Sequence, residues 1–244
     1  MTDHKLLRYI SKTFVLPSDP VRLVPVIITD SKAKYIKNYC INPVENRIKW
    51  WFKPGQNSTQ GLAWLRDSLE TRIGYLDNIS LYVWLGTCDF TVYDRKTRYI
   101  TLKQDLKEEI QTLINNLKEI KDLITVHPEC KVTFLEIPIF SIYLWNKCMN
   151  HPEINQFKEE DNTLIVNIHE ANSQIRQLNN ADSKRSPNFS TDIYHPTTCK
   201  SKNKHNKPRD LYNFNLYKDG LHPDINLAKV WLRKITETIK IDCY

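Results

Sequence analysis

Near one end of the chain, Asp30-Ser31 closes a run of β-branched residues. Near the other, Asp219-Gly220-Leu221-His222-Pro223 sets a carboxylate three residues before an imidazole. Hydroxyl, imidazole and carboxylate are the parts of a nucleophilic relay. The carboxylate fixes the imidazole tautomer, the imidazole takes the hydroxyl proton, and the freed oxygen attacks an acyl carbon. An Asp-x-x-His spacing on a short turn lets the carboxylate reach one ring nitrogen while the other faces outward as a base. Ser31 has a second reading, because serine is a common N-cap where a strand gives way to a helix. Position alone favours the cap. A base with its own orienter elsewhere in the chain favours the nucleophile.

The elements around these residues must bring them together. Val26-Ile27-Ile28-Thr29 is a continuous apolar run, the mark of a strand buried on both faces, and Pro25 can only open it. Three more strands are predicted over 47–53, 80–85 and 131–137. A helix is predicted over 31–39. Residues 105–124 carry apolar side chains at 106, 110, 113, 117, 120 and 124, one face of a helix. At under three heptads this stripe reads as a helix covering a sheet rather than a coiled-coil seam. Further helices are predicted over 162–180 (Leu164, Ile168, Ile175, Leu178) and 223–240 (Ala228, Trp231, Leu232, Ile235, Ile239). Pro223 suits a first helical turn and pushes His222 out of helical geometry. Residues 1–23 read as an N-terminal extension of a single domain, and 182–218, without a clear period, as a long surface excursion. Strands alternating with helices imply parallel pairing with right-handed crossovers, and function at the carboxyl ends of the strands. Those ends are Thr29-Asp30-Ser31, Pro54-Gly55, Gly86-Thr87-Cys88-Asp89, and the turn before the last helix.

The composition fits a globular protein: 244 residues, 41% hydrophobic and 26% charged, with only 5 Gly beside 6 Trp and 12 Tyr. No apolar run approaches the ~18 residues of a membrane span, and the first ten residues do not read as a secretory leader. Cys40, Cys88, Cys130, Cys148, Cys199 and Cys243 are too scattered for a disulfide scaffold and read as free thiols. An intracellular, cytoplasmic protein is therefore expected, with the sequons at Asn57, Asn78 and Asn188 accidental. A piece cut from a larger polyprotein stays open. Of the net charge of +7, much is local, since 200–209 (KSKNKHNKPR) holds five Lys/Arg and no acid. This stretch reads first as a solvated loop and second as a nucleic-acid contact.

Rival chemistries are weaker. Cys88 with His222 would make a thiol nucleophile pair. His127-x-x-Cys130 and His195-x3-Cys199 are metal half-sites without partners of matching spacing. No glycine-rich phosphate loop is present. Trp50, Trp51 and Trp84 read as core rather than as a base-stacking platform.

Taken together, an Asp-Ser after the first strand, Gly55 after the second, Gly-x-x-Asp after the third and Asp-x-x-His before the last helix resemble the SGNH (GDSL-type) hydrolases. The resemblance runs over residues of about 24 to 240. It implies an α/β fold, a flavodoxin-like three-layer sandwich with a central, mostly parallel five-stranded sheet. It also implies a serine esterase acting on a small-molecule, lipid or carbohydrate ester, with no metal and no cofactor. Ser31 would be the nucleophile, His222 the base and Asp219 its orienter. The oxyanion hole would use the N–H groups of Ser31 and Gly55 and the side chain of Cys88. Two positions depart from the family pattern. Thr29 replaces the glycine of Gly-Asp-Ser, and Cys88 replaces the asparagine of Gly-x-Asn-Asp. A thiol is a poor donor beside an amide, and one lost oxyanion donor typically costs ~10²–10³ in rate. Asn57, near Gly55, is a candidate substitute donor. The alternative reading is a weakly active or non-catalytic SGNH fold serving as a nucleic-acid or protein interaction module. SGNH-type domains accompany some animal retrotransposons, and the basic stretch makes this chain resemble those.

Overall fold

The computed structural model describes residues 3–195 and 207–244. In chain order these form α1 (Asp3–Ile10), β1 (Val24–Thr29), α2 (Lys32–Ile36, continued by a 3₁₀ turn to Tyr39), α3 (Pro43–Asn46) and β2 (Lys49–Phe52). Next come α4 (Ser58–Leu76), β3 (Ile79–Trp84), a hairpin of β4 (Thr91–Tyr93) and β5 (Ile100–Leu102), and α5 (Leu106–Thr125). The chain continues with β6 (Lys131–Phe134), α6 (Ile142–Cys148), α7 (Phe157–Ala181) and α8 (Ile225–Cys243).

The main sheet runs β2-β1-β3-β6, all parallel. Its central strands are apolar on both faces because both faces are covered. Helices α4 and α5 lie together on one side, and α8 packs with α1, α2 and α3 on the other. The predicted stripes do the covering: 106, 110, 113, 117, 120 and 124 on α5 are buried, as are 228, 231, 232, 235 and 239 on α8. Thr29 lies in register with Phe52 on one side and Trp84 on the other, so β1, β2 and β3 end level and their loops leave from one edge.

The described residues hold four strands in this sheet, where the resemblance implies five. The free edge of β6 is closed by side chains of α7 instead. Asn179 accepts from the N–H of Phe134 (2.9 Å) and donates to its carbonyl (2.7 Å); Asn172 does the same with Ile137 (2.7 and 2.9 Å). A carboxamide carries one acceptor and a donor group, so it can stand in for a peptide unit. The spacing also fits. Seven helical residues rise roughly 10.5 Å, and three strand residues span roughly 10 Å. Asn146 of α6 repeats the device on β5, bonding both the N–H (2.9 Å) and the carbonyl (2.7 Å) of Ile100.

Two expectations shift in detail. The last helix begins at Ile225 rather than Pro223. Asp224 is its N-cap, accepting from Leu227 N–H at 2.7 Å, and Pro223 stands outside, bridged to Tyr217. The strand expected over 131–137 leaves the ladder after Leu135, whose N–H still bonds Val83, because α7 takes over its pairing. The N-terminal extension, for its part, is packed onto the domain: Leu6 of α1 is fully buried, and Arg233 of α8 donates to the carbonyls of Ile10 and Thr13.

Candidate active site

Ser31 stands at the step from β1 into α2. Its backbone is already helical (φ −59°, ψ −17°), and its hydroxyl caps nothing. The capping work falls to Asp30, whose Oδ1 accepts from Lys32 N–H at 2.9 Å. The N-cap reading of Ser31 is thereby removed, and its Oγ lies 2.9 Å from His222 Nε2.

His222 belongs to the turn that the Tyr217–Pro223 bridge closes just before α8, and it is 5% exposed. Its Nδ1 lies 2.7 Å from Asp219 Oδ2. The other carboxylate oxygen accepts from the backbone N–H groups of Leu221 (3.0 Å) and His222 (2.7 Å). Burial pushes the Asp219 carboxyl upward, but the hydrogen bonds and charge of His222 and these two N–H groups outweigh it and hold it below the ordinary aspartate value. An ionised carboxylate only accepts, so Nδ1 carries a proton and Nε2 is free to accept from the Ser31 hydroxyl. Packing fixes the ring: Tyr35 stacks on it at 4.1 Å between centroids, and Trp145 approaches at 5.7 Å. Gly220 makes the turn possible. It has φ +88°, and a Cβ there would fall 2.6 Å from Leu144 Cβ and 2.9 Å from the Ser141 carbonyl. That close approach lets Gly220 accept from Ser141 N–H at 2.9 Å.

The other strand-end loops are stitched to Ser31 by polar groups, of which Lys32, Ser58 and Asn116 went unmarked in the sequence. Lys32 is 3% exposed and Asp30 1%, and they pair at 2.5 Å. The same ammonium donates to Thr87 Oγ1 at 2.8 Å, joining the loop after β1 to the loop after β3. Asp89, the acid of Gly-x-x-Asp, accepts from the Ser58 backbone at 3.1 Å and from the Ser58 hydroxyl, so it sits on the N-terminus of α4. Asn116 of α5 donates to the same hydroxyl at 2.8 Å. This second stitch holds the Pro54-Gly55-Gln56 turn against the Gly86–Asp89 turn. Burial raises the Asp89 carboxyl despite these bonds. No apolar periodicity points to Lys32 or Asp89. The capping box of Asn57 and Gln60 was the available signal for α4.

Gly55 and Cys88 thus sit on adjacent loops at the edge from which Ser31 emerges. Gly55 has φ +75° with open space around it, so left-handed backbone alone asks for glycine. At Gly86 (φ +118°) a Cβ would also meet Ile137 Cγ1 at 2.7 Å. The oxygen of the Asn57 side chain is engaged as the N-cap of α4. Burial first, and nearby Asp30 next, push the Cys88 thiol up to about 12. It therefore stays a neutral thiol at ordinary pH, which counts against a Cys88–His222 nucleophile pair.

The remaining candidates separate. His127 lies 3.4 Å from Glu70, while Cys130 accepts from Ile79 N–H in the core. Cys199 and most of the basic stretch, residues 200–206, lie outside the described residues, so the half-site at His195 and the nucleic-acid reading gain nothing here. Lys207 pairs with Glu159 and Arg209 with Asp161. Among the described residues, no group of three His, Cys, Asp or Glu is placed to hold a metal, and no helix is long and apolar enough to cross a membrane. Trp84 and Trp51 belong to the buried core, as expected, and Trp50 packs against it half-buried; Trp50 and Trp51 also line a cavity.

No protein-family model and no curated protein matches the sequence. Solved structures do match. A GDSL-like lipase from Bacteroides thetaiotaomicron is 13% identical, with 99% of this chain and 100% of that one covered and a TM-score of 0.59. A proposed acylhydrolase from Bacteroides fragilis is 12% identical (98% and 96% covered, TM-score 0.57). A lipase/acylhydrolase from Enterococcus faecalis is 17% identical (90% and 97% covered, TM-score 0.51). At such identities the likeness is one of fold. The protein has the α/β fold of the SGNH (GDSL-type) hydrolases, whose matched structures are ester hydrolases by description.

Proposed function

We propose that the protein is a serine esterase that hydrolyses a carboxylic ester through an acyl-Ser31 intermediate. The observation that carries this reading is the unbroken chain from Ser31 Oγ to His222 Nε2 (2.9 Å) and from His222 Nδ1 to Asp219 Oδ2 (2.7 Å). His222 takes the Ser31 proton as Oγ attacks the ester carbonyl. The imidazolium that forms is stabilised by Asp219, which keeps its charge. The carbonyl oxygen becomes an oxyanion, met by the N–H groups of Ser31 and Gly55 and more weakly by the Cys88 thiol. His222 then gives its proton to the departing alkoxide and activates the water that releases the acid. A free hydroxyl, a base with a fixed tautomer and adjoining strand-end loops support this over a purely structural serine.

A serine-directed fluorophosphonate probe tests the reading directly. The wild type should become labelled, while Ser31→Ala and His222→Ala should lose labelling and hydrolysis of short p-nitrophenyl esters alike, because triad members act as a unit. Labelling retained by Ser31→Ala refutes the nucleophile assignment.

A further inference from the structure

Beside the Lys53–Gln56 turn, a cavity of about 330 Å³ opens along the edge strand β2. Its lining includes Trp50, Trp51 and Phe52 from the strand and Trp64 from α4. Trp51 and Trp64 meet edge to face at 5.4 Å. The lining also holds two carboxamides, Gln56 and Gln60, whose residues border the same space. Gln56 is only 4% exposed. The charge is one-sided as well. Arg72 lies over Trp51 (5.3 Å) and Trp64 (4.7 Å), Lys53 joins it in the lining, and among the described residues no acidic side chain lines the cavity.

We propose that this cavity binds a planar ring with a polar edge and an anionic substituent, such as a hydroxylated aromatic carboxylate. The ring would lie beside the tryptophans, its polar edge would meet the Gln56 carboxamide, and its anion would face Arg72 and Lys53. A neutral sugar fits less well, since it would leave Arg72 and Lys53 without a counter-charge. A cation is opposed by both charges. The Lys53–Gln56 turn also contains Gly55, so on the esterase reading the cavity would seat the ring-bearing part of the ester; only this last placement rests on that reading.

The test is calorimetric binding to the Ser31→Ala protein, which makes it independent of catalysis. The probe is 6-hydroxy-2-naphthoate, compared with 2-naphthol, which lacks the anion, and cyclohexanecarboxylate, which lacks the flat ring. The naphthoate should bind at least roughly tenfold more tightly than either. The exposed pair Lys53→Gln with Arg72→Gln, its folding checked by melting temperature, should abolish the preference over 2-naphthol. Trp64→Ala should weaken both aromatic ligands by roughly tenfold or more. Equal affinities for the three compounds, no binding at all, or a preference untouched by the double substitution would each overturn the proposal. Fluorophosphonate labelling at Ser31 judges the esterase separately, so the two can fail independently.

Discussion

The two ends of the Ser31–His222 pair are held by different forces. Around Ser31 the fixing elements are charges: a buried Lys32–Asp30 pair that reaches on to Thr87, and a buried Asp89 on the N-terminus of α4. Around His222, apart from its bond to Asp219, the fixing elements are shape: the Tyr35 stack, the Trp145 contact and the close seating of Gly220 on α6. Charge networks are all-or-nothing, because removing one member strands another in a dry interior. Packing degrades by steps, with the volume lost or added. The nucleophile end should therefore break sharply and the base end gradually.

The sharpest break is expected at Lys32. Lys32→Met leaves Asp30 buried without its partner and should cost about 3–5 kcal/mol. In a chain of this size that lowers the melting temperature by roughly 2–4 °C for each kcal/mol. Adding Asp30→Asn to the same protein should recover much of the loss. Unfolding at the wild-type temperature in Lys32→Met alone would show that the pair holds nothing. Next in size is Cys88→Asn, which places a strong donor on the turn that Lys32 anchors. On the esterase reading it should raise kcat by up to ~10²-fold with little change in KM, because the donor acts on charge that develops in the transition state. A stable Cys88→Asn protein with unchanged kcat would argue that another group already fills that place.

At the base end, Gly220→Ala imposes a left-handed backbone on alanine and a contact of 2.6 Å with Leu144. About 1–3 kcal/mol of stability should be lost, with kcat falling as the turn shifts. If Gly220→Ala proves as damaging as Lys32→Met, the contrast between charge and shape collapses. The smallest effect is expected from thiol alkylation. With its thiol pushed up to about 12, Cys88 is protonated throughout the range below that value, so iodoacetamide at pH 8 should modify the exposed Cys148 and leave Cys88 almost untouched. Rapid labelling of Cys88 would mean that the Asp30–Lys32 environment is more open than the structure has it.

Much of this arrangement was legible before any coordinates. The β-branched run at 26–29 and the Asp-x-x-His turn carry their meaning in residue type and short spacing. The apolar stripes on α5 and α8 carry theirs in period. The hairpin of β4 and β5 escaped notice because strands of three residues are too short for alternation to register. Asn172 and Asn179 escaped for a different reason. A search for apolar periodicity passes over polar residues on a buried helix face, although their spacing of seven puts them on that face as surely as Leu164 and Ile168. Lys32 was equally hidden, since a lysine's ordinary place is in water and only the folded neighbourhood supplies Asp30 and Thr87.

The asparagine seal on β6 has an evolutionary consequence. A neighbouring strand pairs through its backbone, which survives almost any substitution. Here the pairing is carried by side chains, and each can be erased by a single mutation. Loss of Asn172 or Asn179 would leave a bare N–H and carbonyl on an otherwise well-formed strand, the kind of edge that invites another chain to add itself. In this protein the border between a closed domain and a self-associating one is drawn by two carboxamides.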